Sequence, residues 1–427
     1  MRNFIKFLAP LGLALMVDGA FAILEIEITT GADNAIPIAI APLINEEKLL
    51  SPSDSITAVI ANDLKNSGRF HYVNIASGSN ALNFAHWKAK KVEAILTGQI
   101  TATGVDNYKV IFSLFDVYSH KKLIEKEYNI KANQLRKLAH HISDVIYEQI
   151  LGDRGIFSTK IAYVLVNRRG KLANYRLQIA DSDGYNTYTL LSSKFPLMSP
   201  SWSPDGKKIS YVSFEGHRAA IYIQEIATGK REILAKFPGI NGAPAWSPDG
   251  SKMAMVLTKT GYPKIYTMDL STKNLEQITD GWYLDTEPSW SLDGRSIIFT
   301  SNRGGTPQIY MVHLGTKRIE RLTFNGSYNA RAYFVPSNKN AVVMLHKELG
   351  MFTIALQNLN SGQLTLLAPL GLNESPSIAP NGKMIIYATN QASRGILAET
   401  SIDGKVKLLL PTIDGEVQEP AWSPFLN

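Results

Sequence analysis

Residues 241–257 read NGAPAWSPDGSKMAMVL, and this stretch decides the fold. Pro248, Asp249 and Gly250 specify a tight turn, because proline presets the backbone dihedral and Asp and Gly accept the conformations that follow. Met253 to Leu257 is a short, largely apolar strand. Neither feature explains Trp246, but the rest of the chain does. Trp202, Trp246 and Trp290 lie 44 residues apart, and Phe334, Ile378 and Trp422 continue the same grid. The surrounding words recur as SPSWSPDGKK (199–208), APAWSPDGSK (243–252), EPSWSLDGRS (287–296), SPSIAPNGKM (375–384) and EPAWSP (419–424). The unit at 331–340 is degraded but keeps the register. A second landmark agrees: Ile221-Tyr222, Ile265-Tyr266, Ile309-Tyr310, Thr353-Ile354 and Leu397-Ala398 have the same spacing. Two landmarks held in register over five periods define a repeat architecture.

Each unit reads as four short strands separated by turn residues, which at this period describes a propeller blade. Full units begin near 199, 243, 287, 331 and 375. Before them, Lys160 to Val166, Tyr175 to Ala180 and Tyr188 to Ser192 look like three strands, and after them Glu419 to Pro424 supplies one more. Three plus one closes a sixth blade from both ends and removes two free sheet edges. The expected fold is therefore an all-β six-bladed propeller over 157–427, preceded by an α/β domain over 23–152. The recurring tryptophans read as packing between blades. Asp205, Asp249 and Asp293 read as turn residues rather than a catalytic set.

The first 22 residues read as a cleaved export signal. Arg2 and Lys6 precede an apolar run, and Ala20-Phe21-Ala22 fits a small-x-small cleavage pattern. The run is too short to span a bilayer, and no later stretch approaches about 18 unbroken apolar residues, so a soluble mature chain is expected. The 427 residues contain no cysteine, which excludes disulfides, thiolate metal sites and a cysteine nucleophile. The formal charge is +7; losing residues 1–22 removes Arg2, Lys6 and Asp18 and leaves +6. That charge is spread without a long basic run, which argues against nucleic-acid binding.

Residues 23–152 lack the repeat. Leu24, Ile26 and Ile28 alternate with Glu25, Glu27 and Thr29, as in a half-exposed strand. Ile36 to Pro42, Ala94 to Ala102 and Tyr108 to Tyr118 are strand-like. Ser53 to Asn66 reads as a helix capped by Ser53 and stopped near Gly68. Asn133 to Leu151 reads as a second helix, ended by Gly152.

No Gly-x-Ser-x-Gly elbow, His-Glu-x-x-His motif or P-loop is present. His140 and His141 are adjacent on a predicted helix and point about 100° apart, so they do not readily share one metal. No catalytic residue, cofactor or metal site is expected.

An exported chain with an α/β domain and W-S-P-D-G repeats ending in AWSPFLN resembles the TolB family of the bacterial Tol–Pal envelope system. The resemblance is carried along the whole chain by GADNAIPIAIAPL (31–43), NDLKNSGRF (62–70), DGYN (183–186), PLMSPSWSPDGKKISYVSFE (196–215), NGAPAWSPDGSK (241–252) and TDGWYLDTEPSW (279–290). It implies a monomeric, non-enzymatic periplasmic scaffold. Such a scaffold binds the lipoprotein Pal through one end of the propeller and the C-terminal domain of TolA through its N-terminal segment. The implied role is outer-membrane integrity and constriction at cell division, with no membrane contact except through partners. Colicins exploit such a system.

The loops just before each W-S-P-D-G unit should cluster around the central channel, because the repeat places them equivalently. They contain Met198, Ser199 and Pro200; Asn241, Gly242 and Ala243; Asp285, Thr286 and Glu287; Asn329 and Arg331; Glu374 and Ser375; Gln418 and Glu419. This polar mixture suits a wet docking face for Pal. The family often carries a histidine where Ile240 stands here. Ile23, Leu24, Glu25, Ile26, Glu27, Ile28 and Asp33 form the segment assigned to TolA. It reads either as a strand sealing the α/β domain or as an exchangeable strand able to extend a partner sheet. Two other readings stay open. A hydrolase or lyase in the channel would need paired carboxylates or histidines at equivalent blade positions. A sugar-binding propeller would need exposed tryptophans, and only Trp87 and Trp282 are free of packing positions.

Overall fold

A computed structural model describes residues 26–27, 35–51, 55–76, 80–391, 394–411 and 415–426. The export signal, Ile23 to Glu25, Ile28 and Asp33 lie outside the described residues. Among the described residues no helix is long and apolar enough to cross a membrane.

The repeats fold as six antiparallel sheets arranged as blades. Blade 1 is built from both ends of the propeller: Glu416–Trp422 pairs with Lys160–Arg169, which is followed by Leu172–Asp181 and Tyr188–Ser193. Blades 2 to 6 occupy 197–235, 241–277, 285–321, 329–366 and 374–409. Six buried clusters lie between successive blades, the last joining blade 6 to blade 1 through residues such as Ile386 and Tyr163. The apolar interiors of the blades thus cover one another around a closed ring.

The tryptophans lock this ring. Trp202 Nε1 donates to the Ala421 carbonyl at 3.0 Å, Trp246 to Ser201 at 3.2 Å and Trp290 to Ala245 at 3.0 Å. Each acceptor lies on the innermost strand of the preceding blade. Trp422 differs: its indole donates to Thr159 Oγ1 at 2.8 Å, and its backbone N–H reaches Ser377 of blade 6. The aspartates of the repeat hold their own turns. Asp205, Asp249 and Asp293 each accept from the serine two residues earlier at 2.6 Å and from a backbone N–H two residues later at 3.0 Å. These bonds favour the carboxylate and pull Asp249 down to about 2.

The N-terminal domain has a sheet with strands β2 (Ile36–Ile40), β3 (Phe70–Asn74), β4 (Ala94–Gly104), β5 (Asn107–Asp116) and β6 (Lys122–Lys131), in the order β3-β2-β4-β5-β6. Helices α1 (Glu46–Leu49), α2 (Ile56–Asn66), α3 (Phe84–Ala89) and α4 (Leu135–Leu151) accompany it. The first long helix begins later than Ser53. Ser55 is its cap, accepting from the Ala58 N–H at 3.1 Å, while Glu46 accepts from the Ser55 hydroxyl and the Thr57 N–H. Gly152 closes α4 in the left-handed conformation (φ 78°), where glycine carries no Cβ penalty.

Alternation along β2 separates two cores. Ile38 and Ile40 pack with α2 and α4, whereas Ala39 and Ala41 pack with Trp87 and Ile75 on the other face. Trp87 is thus a core residue, its indole held by the Ala81 carbonyl. Strand β1 (Ile26–Glu27) does not seal this sheet. It pairs antiparallel with the outermost strand of blade 6, with Ile26 opposite Leu408 and Glu27 opposite Lys407. Two-residue alternation marks a strand, but the identity of its neighbour is set by tertiary placement.

Candidate partner-binding site

The candidate residues before each W-S-P-D-G turn belong to the innermost strands, not to free loops. In every blade that strand carries a bulge, where the register shifts against its neighbour. The bulge residue is left-handed at all six equivalent positions: Ser199 (φ 50°), Ala243 (46°), Glu287 (54°), Arg331 (49°), Ser375 (51°) and Glu419 (53°). Non-glycine residues rarely adopt this region, and each instance costs about 1–3 kcal/mol unless its surroundings impose it. Here the ladder bonds on both sides of the bulge impose it, and all six residues line a channel cavity of about 410 Å³. Five of them precede a proline that also lines the channel: Pro200, Pro244, Pro288, Pro376 and Pro420.

Four side chains tie the channel together. Arg331 Nε donates to Glu287 at 2.7 Å, and its terminal nitrogens donate to Glu419 at 2.9 and 3.1 Å and to the Ser375 hydroxyl. The Glu287 carboxylate also accepts from the Arg331 N–H and the Thr300 hydroxyl. One guanidinium therefore spans blades 4, 5, 6 and 1. Desolvation opposes its charge, but Glu419 and Glu287 outweigh that and hold its pKa well above the ordinary value. Met198, Thr286, Glu374 and Gln418 stand one residue outward, with Met198 and Glu374 exposed at the rim and Gly242 beside them.

Asn241, Asp285 and Asn329 sit at the same repeat position but are fully enclosed. Asn241 holds its own loop through the Phe237 N–H and carbonyl at 2.8 and 2.7 Å. Asn329 donates to Gln308 and the Asn325 carbonyl and is bonded to His346. Asp285 is ion-paired to Lys264 at 3.1 Å and Arg303 at 2.9 Å. Their polar groups are consumed in shaping the channel mouth, and the neighbouring side chains present its surface.

That surface contains residues the repeat alignment does not single out. Trp282 is 80% exposed, Phe324 69% and Ile240 49%, and Tyr262 meets Trp282 edge-on at 5.6 Å. Trp282, Phe324 and Ile240 lie on the loops that lead into the innermost strands, and Tyr262 lies on the loop between the second and third strands of blade 3. The signal was legible in GWYLD (281–285), where a loop between strands carries three large apolar residues in a row.

The N-terminal domain sits at the opposite end of the propeller, beside the turns of blades 6 and 1. Asn381 donates to the Arg154 carbonyl, Lys383 pairs with Asp153 at 3.2 Å, and Gly68 abuts Val406. A buried ionic cluster closes this junction. His140 Nδ1 is hydrogen-bonded to Asp63 at 2.8 Å within the domain. His140 Nε2 faces propeller residues Asp183 and Asp181 at 3.7 and 3.9 Å. Arg136 pairs with Asp183, and Lys160 pairs with Asp181 at 2.8 Å. Among the described residues, Asp63, His140 and Asp183 are the one grouping with metal-like spacing. Protein cations already engage the two propeller carboxylates. His141, by contrast, points outward to the Tyr128 hydroxyl at 3.1 Å.

Comparison with known proteins agrees with this architecture over its full length. Residues 24–123 match the TolB amino-terminal domain and residues 147–426 the TolB beta propeller domain. The Tol-Pal system protein TolB of Coxiella burnetii is 55% identical over 424 residues, covering 97% of each chain. That of Nitrosococcus oceani is 53% identical, covering 96% of this chain and 97% of its own. The crystal structure of TolB from Acinetobacter baumannii superposes with a TM-score of 0.86 at 41% identity, covering 94% of this chain and 99% of that one. The chain therefore belongs to the TolB family.

Proposed function

We propose that the chain is a non-enzymatic periplasmic scaffold of a Tol–Pal system. Its propeller docks a Pal-type lipoprotein at the channel mouth, and its N-terminal segment engages the C-terminal domain of a TolA-type partner. Through these contacts it supports outer-membrane integrity and constriction at division. The observation that carries this reading is the channel mouth, with the Arg331–Glu287–Glu419 network inside and exposed Trp282, Phe324 and Ile240 around it. Aromatic anchors beside satisfied polar groups are the composition of an interface centre. The N-terminal domain occupies the other end and leaves the mouth open. β1 meets the propeller through the edge of one sheet, the mode by which a short segment can move between partner sheets.

Calorimetric titration of residues 23–427 with the soluble domain of the cognate Pal-type lipoprotein tests the docking. Saturable one-to-one binding is expected. Thr286→Arg should weaken it at least tenfold while leaving the melting temperature near wild type. Absence of binding at tens of micromolar would overturn the reading. Glu287→Arg is a poorer probe, because Glu287 is held by Arg331 and Thr300. Deleting Ile23 to Ala32 should abolish TolA binding and spare Pal binding. Loss of both would mean the segment only holds the fold.

A further inference from the structure

The second core of the N-terminal domain carries an unusual surface. Residues 82–91 (LNFAHWKAKK) and 118–122 (YSHKK) contain five lysines, two histidines and no acid. The fold joins them. Phe84 stacks on His120 at 4.6 Å, Lys88 Nζ lies 5.5 Å from the Tyr118 ring centroid, and Lys122 Nζ lies 5.9 Å from that of Phe115. Lys88, Lys90, Lys91, Lys121 and Lys122 are all exposed. Of the five, only Lys122 has a carboxylate partner among the described residues, Glu125 at 2.5 Å. Many cations elsewhere are neutralised: Lys109, Lys160, Lys273, Lys317 and Lys383 each pair with an acid.

Position matters as much as charge. α2 and α4, which carry the contacts to the propeller, cover one face of the sheet. α3 covers the other through Trp87, Ala39, Ile95 and Val117. The lysine surface therefore faces away from the propeller, on the side opposite the junction. It leaves the channel mouth unobstructed. Exposed apolar side chains border it: Tyr118 is 50% exposed, Leu82 43% and Leu123 38%. The surface is cationic and carries only a few apolar side chains. It fits a diffuse anionic plane whose headgroups any lysine can meet.

We propose that the α3 face of the N-terminal domain docks directly on an anionic phospholipid bilayer surface, independently of any protein partner. The long lysine stems let the ammonium groups settle among headgroup phosphates while Tyr118 and Leu123 touch the interfacial zone. Each lysine near an anionic leaflet strengthens binding about fivefold, and salt screens the effect.

The test is co-sedimentation of residues 23–427 with vesicles at low salt. One set contains phosphatidylethanolamine and phosphatidylglycerol at about three to one; the other replaces phosphatidylglycerol with phosphatidylcholine. Binding to the first set alone is expected, with loss at half-molar salt. Lys88→Glu/Lys90→Glu/Lys91→Glu should reduce partitioning at least about a hundredfold, since the loss of each lysine alone takes about fivefold. Lys194→Glu/Lys230→Glu/Lys339→Glu carries the same net charge change at exposed propeller positions and should bind nearly as wild type. All six side chains are exposed, and circular dichroism verifies the fold of both variants. No partner protein is present, so the result does not depend on the Pal and TolA reading. Equal binding to both vesicle sets, equal loss in both triple variants, or no binding at low salt would each overturn the proposal. Capture of an acidic protein without vesicle binding would overturn it as well.

Discussion

Trp290→Phe isolates one bond of the blade-to-blade lock. The ring still fills its buried position, but the Ala245 carbonyl at the blade interface loses its donor at 3.0 Å. Leaving such a group unpaired costs about 1–3 kcal/mol. The melting temperature should fall by roughly 2–4 °C for each kcal/mol, and an unchanged value by calorimetry would show the bond to be neutral. Arg331→Met acts in the channel. It leaves Glu287 and Glu419 facing one another without the guanidinium between them. The loss should be about 1–3 kcal/mol near pH 8, below that of a fully buried pair because the groups are partly solvated. Denaturant titration of wild type and variant at that pH measures it.

At one contact between elements the absence of a side chain is what lets them meet. Gly68 follows α2 with φ 67°, and a Cβ there would lie 2.0 Å from Val406 Cγ2 on blade 6. Gly68→Ala combines backbone strain with a clash across the junction, each worth about 1–3 kcal/mol, and should cost about 2–6 kcal/mol. Adding Val406→Ala should recover part of it, since the clash is relieved and the strain is not. A double-mutant cycle of melting temperatures measures that split. The sequence marked Gly68 as a helix stop, which is true but incomplete. Its contact with Val406 spans more than 300 residues and cannot be seen in a window around α2. The same limit applies to Ser55, which caps α2 in place of Ser53 because Glu46 accepts from its hydroxyl and from Thr57. It applies also to β1, whose alternation predicts a strand without saying which sheet receives it.

At the scale of the molecule, the ionic cluster makes the domain junction sensitive to pH. Burial works against the His140 imidazolium, but Asp63 and Asp183 overcome it and hold the pKa above its ordinary 6.5. Burial likewise raises Asp63 above its ordinary 3.8, with His140 opposing. A group with a raised folded pKa contributes stability that is fully present below its unfolded value and is lost as pH rises through the folded one. Both shifts have that sign. Melting temperature should therefore decline as pH rises from about 6 through the neutral range, and His140→Gln should flatten the decline. Calorimetric scans at half-unit pH intervals decide it; an equal slope in wild type and variant would remove His140 as the cause.

Six blades, their closure by both ends of the propeller, the α/β start and the packing role of the repeated tryptophans were all set by local chemistry repeated at a fixed period. Turn residues and alternating apolar strands act within a few residues, and repetition multiplies a weak local signal until it is unambiguous. The candidate channel residues were legible as equivalent positions for the same reason. Their differing fates were not. Only the folded ring turns Glu287, Arg331 and Glu419 inward on left-handed bulges while enclosing Asn241, Asp285 and Asn329, because burial and pairing depend on neighbours from other blades. The end of the propeller that stays open, the sheet that receives β1 and the joining of two lysine-rich segments into one surface were likewise decided by tertiary structure. Each depends on contacts between residues far apart in the chain, and a periodicity carries no record of them.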